Sequence, residues 1–256
     1  MARLLVGLPA LQGDLAKYST RFDMVEIRAP NAPPSPNARA NAAVATAAGA
    51  LPRAATLRKW RTSVPPSFVF SVVLPPAVGA LVPGPALDEA LASSLEAAAV
   101  LEARCIVLAT PPEVRPTATN RKRLAAVFER IPHEGTVLCW EPSGIWERDE
   151  VIVLSRTLGV IPVLDAAREA LGAGPIVYTR LRALGKSAVL GQATIERIAE
   201  RLRRRREAFV VVEGPPEAQR VKAALTTELA RRPGRAAPMT VVRPVSSTLI
   251  AEDEEQ

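Results

Sequence analysis

The chain has 256 residues, a formal net charge of +7 and a hydrophobic fraction of 48%, which is ordinary for a globular protein with a sizeable core. No apolar run reaches the roughly 20 residues that a membrane helix needs. The N-terminus lacks the long apolar region and the cleavage site of a signal peptide. We therefore expect a protein without membrane contact that is located in the cytoplasm.

The scarcity of histidine and cysteine limits the chemistry of any site. One histidine and two cysteines exclude an imidazole-rich metal site and a disulfide framework. A magnesium site built from carboxylates alone stays open, but the sequence assigns no metal ligands and names no cofactor. Cys105 and Cys139 lie within short apolar runs, so we interpret them as buried free thiols.

Eight short segments rich in Val, Ile and Leu are predicted as β-strands. Several of them are apolar throughout, which is typical of parallel strands that are covered on both faces. The predicted strands one to eight are Arg3–Leu8, Phe22–Ile27, Phe68–Leu74, Cys105–Ala109, Thr136–Glu141, Val160–Asp165, Pro175–Arg180 and Glu207–Glu213.

Stretches with helical periodicity separate these strands. The basic run Arg201–Arg206 falls at the end of one of them, where cations favour the helix dipole, so we interpret it as a solvated helix end and not as a nucleic-acid groove. The predicted helices are Leu87–Glu102, Asn120–Arg130, Asp149–Leu158, Thr194–Arg206 and Glu217–Arg231.

Eight strands that alternate with helices predict an α/β fold, a single (β/α)₈ TIM-type barrel with parallel strands over residues 1–248. An open, doubly wound sheet is the alternative. The Pro- and Asn-rich residues 30–36 and the Ala-rich residues 38–50 predict a long loop and helix excursion after strand two, ending near Trp60. We expect the acidic residues 249–256 to form a disordered tail.

Charged residues end five of the predicted strands, and ligands of parallel barrels bind where the carboxyl ends of the strands meet. Glu26, Glu141 and Asp165 are therefore candidates for a catalytic acid or base. Each has the alternative of a structural ion pair or a helix cap. The full set is Glu26 and Arg28 on strand two, Glu141 on strand five, Asp165 on strand six, Arg180 and Arg182 on strand seven, and Glu213 on strand eight.

The segment that follows predicted strand seven indicates anion binding. It reads Arg180-Leu-Arg182-Ala-Leu-Gly185-Lys186-Ser187, and barrels often bind phosphate at the loops after strands seven and eight. The arginines would donate forked hydrogen bonds and Lys186 would add a point charge. The Gly-Lys-Ser sequence is not a P-loop, because the required first glycine falls at Arg180. The alternative is ordinary surface basicity.

The aromatic residues and the histidine give weaker signals. Trp60 and Trp146 are candidates for stacking on a base or a sugar at the barrel mouth, and core packing is the alternative for each. His133 precedes predicted strand five, so we expect it in a surface loop on the opposite face of the barrel.

Several short motifs, taken in order, resemble domain-of-unknown-function family 72, the YecE-like proteins, over about residues 4–230. The resemblance implies a (β/α)₈-like barrel, similar in shape to the endonuclease IV and xylose isomerase barrels, with Tyr178 as a further ligand-binding candidate. It implies no established activity. The motifs are Phe22-Asp-Met-Val-Glu26, Trp60 with Pro66-Ser-Phe68-Val-Phe70-Ser71, Pro111-Pro112, Glu141 to Trp146, Val163-Leu-Asp165 and Tyr178-Thr-Arg180-Leu181.

The chain also departs from the family pattern at positions expected to line the pocket. It has Arg28 where the family commonly has asparagine, and Arg182-Ala183 where histidine and glycine are expected. Val73 or Leu74 stands where a lysine is expected. The sequence therefore resembles a divergent member of the family with altered pocket chemistry.

Three functional hypotheses follow from these observations. The first is a protein that binds, or acts on, a small anionic or phosphorylated ligand at the barrel mouth. The second is a nucleic-acid-binding barrel that uses its basic surface. The third is a non-catalytic, degenerate family member. A zinc nuclease of the endonuclease IV kind fits poorly, because its zinc cluster needs several histidines. Whether the protein is an enzyme and how it oligomerises stay open.

Overall fold

The computed structural model describes residues 2–29, 51–182 and 190–231. Within these ranges, eight parallel strands form a closed barrel in chain order, with β8 paired to β1. The eight predicted strands are confirmed with ends shifted by at most about two residues, and the open-sheet alternative is wrong. The strands are β1 (Arg3–Leu8), β2 (Met24–Arg28), β3 (Val69–Val73), β4 (Cys105–Thr110), β5 (Val137–Pro142), β6 (Ile161–Leu164), β7 (Ile176–Leu181) and β8 (Glu207–Val212).

The described helices pack outside the barrel, and each of the five predicted helices is confirmed. Local signals fix their ends: Asp14 and Thr117 accept hydrogen bonds from backbone N–H groups in the first turns of α1 and α5. Proline begins α3, α4 and α8. The helices are α1 (Leu15–Ser19), α2 (Ala54–Thr62), α3 (Pro76–Gly79), α4 (Pro85–Leu101), α5 (Ala118–Glu129), α6 (Arg148–Thr157), α7 (Gln192–Arg203) and α8 (Pro215–Ala230).

The predicted (β/α)₈ barrel is confirmed, and β6 and β7 are the one pair of consecutive strands joined without a helix among the described residues. Residues 165–175, all of them described, form turns and no helix. Gly172, Gly174 and Pro175 disfavour helix formation in this short segment. A small cavity of about 190 Å³, lined largely by apolar residues such as Leu171 and Val177, lies beside the strands there.

Alternation of side chains along the strands divides the core into two layers. Outward-facing residues pack against the helices, and Trp60 on α2 belongs to this outer layer. Both cysteines are buried free thiols, as predicted, and lie in the layer inside the barrel. This inner layer consists of Leu5, Met24, Val69, Val73, Cys105, Val107, Val137, Cys139, Val163, Tyr178, Phe209 and Val211.

Gly7 is required where β1 and β2 approach each other closely. A Cβ atom at this position would lie 2.0 Å from the carbonyl oxygen of Met24, its partner in the register of the two strands. No side chain fits in that space, so only glycine allows the two strands to pair at this point.

Charged residues close the amino end of the barrel interior. Glu207 accepts hydrogen bonds from Arg3 and Arg104, each at 3.2 Å. The inside of the barrel therefore changes from apolar at its middle to ionic at this end. A second and more deeply buried ionic layer lies at the carboxyl end.

The basic run Arg201–Arg206 covers the end of α7 and the connection to β8. Its guanidinium groups contact backbone carbonyls of neighbouring segments: Arg201 that of Ala166, Arg203 that of Glu228, and Arg205 that of Gly174. The run lies at a helix end, as predicted, but these three arginines bond to neighbouring segments and are not simply solvated.

Three sequence predictions lie outside the described residues: the excursion over residues 30–50, Lys186, and the acidic tail. Among the helices that the structure does describe, none is long and apolar enough to cross a membrane.

Candidate functional site

Arg180 lies at the centre of a buried ionic cluster at the carboxyl end of the barrel. Its guanidinium donates two hydrogen bonds to Glu26 of β2, both at 2.7 Å, and two to Glu141 of β5, at 2.9 and 3.0 Å. Only 6% of the Arg180 side chain is exposed. A planar guanidinium matches carboxylates in this forked manner. Arg180 therefore joins three strands through charge-assisted hydrogen bonds.

Four further side chains surround these three: Arg28, Ser71, Tyr178 and Arg182. We call all seven residues the Arg180 cluster. Tyr178 donates to Glu26 at 2.6 Å, and its hydroxyl lies 3.0 Å from that of Ser71. Arg28 donates twice to Glu26, at 2.7 and 3.1 Å. Arg182 donates to Glu141 at 3.1 Å, and about half of its side chain is exposed.

The cluster fixes the ionisation of its central groups. Burial alone would raise the pKa of Glu26, but Arg180, with smaller contributions from Arg28 and Tyr178, outweighs burial and lowers that pKa below its ordinary value of 4.5. Burial and the nearby Glu26 raise the pKa of Tyr178 well above 10, so its hydroxyl stays protonated and donates. At neutral pH Glu26 is therefore a carboxylate with both oxygens accepting hydrogen bonds.

Asp165 lies next to this cluster but is not bonded to it. It follows β6 and begins a tight turn, in which its Oδ1 accepts from the backbone N–H of Ala167 at 2.9 Å. Its own backbone N–H donates to Glu169 at 3.0 Å. The other carboxylate oxygen, Oδ2, has no hydrogen-bond partner among the described residues. Arg168 Nε is 3.6 Å away, which is too far for a hydrogen bond.

A cavity of about 310 Å³ opens between these groups at the ends of β5, β6 and β7, and we call it the β5–β7 cavity. Trp146 forms part of its wall. The indole N–H of Trp146 donates to the carbonyl of Val114 at 2.6 Å, and its ring packs edge-to-face on Trp140 at 4.9 Å. The charged lining consists of four arginines and three carboxylates: Arg148, Arg168, Arg180, Arg182, Glu141, Asp165 and Glu169.

A second, smaller cavity of about 210 Å³ lies on the other side of the cluster. It is bounded by the ends of β2, β3 and β4 and by Ser143, and Arg28 provides its charged wall. The Arg180 cluster therefore contributes residues to two cavities: Glu141, Arg180 and Arg182 to the larger one, and Arg28 to the smaller one.

The start of α8 is poorly suited to bind an anion. Pro215 and Pro216 occupy its first turn and have no N–H to donate, and Glu217 adds a negative charge there. Glu217 also accepts from the backbone N–H of Leu190 at 3.1 Å and pairs with Arg220. An anion at this mouth would therefore have to be bound by arginine side chains.

The structure brings together most of the predicted site residues but not all. Glu26, Arg28, Glu141, Tyr178, Arg180 and Arg182 form the cluster, and Asp165 and Trp146 line the larger cavity. Trp60 lies near the end of α2 in the outer helical layer, away from both mouth cavities, because its helix runs back down the outside of the barrel. Glu213 follows β8 as an exposed residue, and His133 is exposed in the loop before β5.

Sequence reasoning missed Ser71, Arg148, Arg168 and Glu169. Ser71 lies on the inward face of β3 and pairs in register with Glu26, which strand alternation alone could have indicated. Arg168 and Glu169 belong to the turn that replaces a helix after β6, so no periodicity marks them. Within the described ranges, no group of three or more His, Cys, Asp or Glu residues is arranged to hold a metal ion.

Fold and site together define a (β/α)₈-barrel protein with a polar, arginine-rich mouth. Solved structures with the same fold include a DUF72 family protein from Enterococcus faecalis, with a TM-score of 0.65 and 14% identity over 91% of this chain and 96% of that chain. A DUF72 family protein from Thermotoga maritima has a TM-score of 0.58 and 15% identity over 88% of this chain and 97% of the other.

The likeness to DUF72 proteins that the sequence motifs predicted is therefore confirmed at the level of the fold. An AP endonuclease of family 2 from Brucella melitensis also shares the fold, with a TM-score of 0.55 and 13% identity over 89% of this chain and 99% of that protein. A comparison with protein-family models gives no match, and neither does a comparison with curated protein sequences.

Proposed function

We propose that this protein binds a small anionic ligand, of the phosphorylated class, in the β5–β7 cavity. The observation that carries the proposal is the arginine-rich lining of a cavity of about 310 Å³ at the end of the barrel where parallel barrels bind their ligands. Four arginines face three carboxylates there, and two of those carboxylates, Glu141 and Asp165, already lie within 4 Å of an arginine nitrogen.

The exposed arginines are the groups that would bind the anion. Arg182 and Arg168 each keep about half of their side-chain surface accessible, and Arg148 keeps 41%. Arg180 donates four hydrogen bonds to Glu26 and Glu141, so it has little capacity left for a ligand. We assign it a positioning role: it fixes Glu141, which in turn holds Arg182 at the cavity wall.

The same geometry ranks the three acid or base candidates. Glu26 is fully buried, carries five hydrogen bonds and has a lowered pKa, which makes it a poor proton acceptor at neutral pH. Glu141 has both oxygens bonded to arginines. Asp165 keeps one oxygen without a partner among the described residues, so it is the candidate that can still interact with a ligand. The proposal concerns binding and assigns no reaction.

Calorimetric titration with inorganic phosphate at low salt tests this proposal. Losing one charge-assisted hydrogen bond costs about 1.5–3 kcal/mol, so Arg182→Ala and Arg168→Ala should each weaken binding roughly ten- to a hundredfold. Arg58→Ala is the matched control, because Arg58 is exposed on α2 and lines neither mouth cavity. Absence of phosphate binding, or equal binding by all four proteins, would overturn the proposal.

Nucleic-acid binding is the second candidate, favoured by the net charge of +7. The fold shared with an AP endonuclease supports only the scaffold, and arginines of the Arg201–Arg206 run already contact backbone carbonyls. Electrophoretic shifts with DNA and RNA separate the two candidates. Nucleic-acid affinity should fall by roughly one log unit per log unit of salt for each phosphate contact, whereas no shift at low salt would eliminate this candidate.

A further inference from the structure

Of the three carboxylates considered as a catalytic acid or base, only Asp165 keeps a buried oxygen without a hydrogen-bond partner among the described residues. Its side chain is only 10% exposed and forms part of the wall of the β5–β7 cavity. Leaving a buried carboxylate oxygen unpaired costs free energy, and such atoms are rare in folded proteins. Oδ2 can therefore accept a hydrogen bond from a donor that enters the cavity.

The turn that holds Asp165 gives no such partner. Asp165 Oδ1 is used by the backbone N–H of Ala167, and the Asp165 carbonyl accepts from the N–H groups of Arg168 and Glu169 at 3.0 and 2.8 Å. These bonds fix the carboxylate in place. Arg168, whose Nε is 3.6 Å from Oδ2, is the nearest cation, and about half of its side chain is exposed.

We propose that Asp165 Oδ2 accepts a hydrogen bond from a hydroxyl group of the ligand, and that the ligand is a phosphorylated polyol or sugar. This inference rests on the anion binding proposed above. Arg168 would turn from Asp165 to the phosphate, and the hydroxyl beside the phosphate would take the vacated position at Oδ2. The weak ion pair of the free protein is thereby exchanged for two bonds to one ligand.

The charge of the cavity selects a hydroxyl over an ammonium group as the donor. Four arginines already outnumber the three carboxylates in the lining. An ammonium group would add a further cation, whereas a neutral hydroxyl satisfies Oδ2 without adding charge. Trp146 offers an apolar surface in the same wall, which suits the carbon skeleton of a sugar or polyol.

Three probes separate this inference from the proposal on which it rests: inorganic phosphate, n-propyl phosphate and racemic glycerol 1-phosphate. The last two share a phosphate and a three-carbon chain and differ in their hydroxyl groups. Calorimetry gives the affinities, and the indole N–H signal of Trp146 in a ¹H–¹⁵N spectrum shows whether a probe enters this cavity. We expect the protein to bind glycerol 1-phosphate at least about tenfold more tightly than propyl phosphate.

Asp165→Ser is the variant that tests the role of Oδ2. Serine retains an oxygen that can accept from the N–H of Ala167, as Asp and Ser both do at helix and turn starts, but it has no second oxygen. The preference for glycerol 1-phosphate should disappear in this variant: the ratio of its affinities for glycerol 1-phosphate and propyl phosphate should fall to about one, even though loss of the carboxylate that pairs with Arg168 changes the affinity for both probes. Arg168→Ala should weaken the binding of all three probes and keep the preference.

The possible outcomes are distinct. Equal binding of propyl and glycerol phosphates by the unmodified protein overturns the hydroxyl contact and leaves anion binding intact. A preference that persists in Asp165→Ser overturns the assignment to Asp165. Binding of none of the three probes overturns anion binding and the present inference together. If Asp165→Ser does not fold, the comparison of the probes on the unmodified protein still tests the hydroxyl contact. The variant Asp165→Asn then tests the role of Asp165, and it should reduce the preference partly.

Discussion

The two ends of the barrel interior are both closed by arginines and glutamates, but they are built differently. At the amino end Glu207 accepts one hydrogen bond each from Arg3 and Arg104, and 53% and 33% of these arginine side chains are exposed. At the carboxyl end Arg180 is almost fully buried and donates four hydrogen bonds to two carboxylates. Water therefore reaches the arginines of the first set, although Glu207 itself is buried, and it hardly reaches Arg180 and Glu26.

The two ends therefore differ in how strongly the fold depends on their ionic bonds. An exposed ion pair contributes about 0–1 kcal/mol, because water solvates its members equally well when they separate. A buried pair need not stabilise the fold relative to an apolar core, but removing one partner leaves an uncompensated buried charge. The carboxyl end should therefore tolerate change poorly, and the amino end should tolerate it well.

The largest expected effect is that of Arg180→Met. The substitution leaves Glu26 and Glu141 without their shared cation, and we expect the free energy of unfolding to fall by about 3–5 kcal/mol in urea titrations. The triple variant Arg180→Met, Glu26→Gln, Glu141→Gln is the control, since it removes the charges as a set and should recover part of the loss. Unchanged stability of Arg180→Met would contradict the importance given to the cluster.

The pH dependence of stability gives the next effect in size. The pKa of Glu26 is lower in the folded protein than its ordinary value of 4.5, so the unfolded chain binds protons more readily below about pH 5. The contribution of Glu26 is therefore present at neutral pH and is lost as the pH falls through its folded pKa.

Urea titrations between pH 7 and about pH 3 measure this contribution. Glu26→Gln should be less stable than the unmodified protein at pH 7, and the two stabilities should converge at low pH. Glu217→Gln is the matched control, because the Glu217 pKa is also lowered, but mainly by one exposed partner, Arg220. Its effect should be smaller, and parallel curves for Glu26→Gln and the unmodified protein would speak against the assignment.

The strands, the closed barrel and the carboxyl-end position of the charged residues could be predicted from the sequence. Apolar runs such as residues 208–212 and the order of the helices carry this information locally. The ends of strands two, five and seven were predicted to converge, and Glu26, Glu141 and Arg180 do meet there. This success depends on the geometry of parallel barrels, in which every strand end points to the same mouth.

The bonding within the site could not be predicted from the sequence. Whether Arg180 faces a ligand or two carboxylates depends on how β2, β5 and β7 are staggered around the barrel, which periodicity does not encode. Trp60 was a candidate for stacking at the mouth, with core packing as the alternative, and its helix carries it to the outer layer, as that alternative predicts. Arg168 was missed because it lies in a turn, where no periodicity marks it.

The smallest expected effect is that of Arg3→Ala at the amino end. Glu207 keeps its hydrogen bond to Arg104 in this variant, and more than half of the Arg3 side chain is already exposed. The free energy of unfolding should change by about 1 kcal/mol or less, and the binding of inorganic phosphate should not change. A loss as large as that of Arg180→Met would remove the distinction between the two ends, because it would mean that Glu207 depends on both arginines as strongly as Glu26 depends on Arg180.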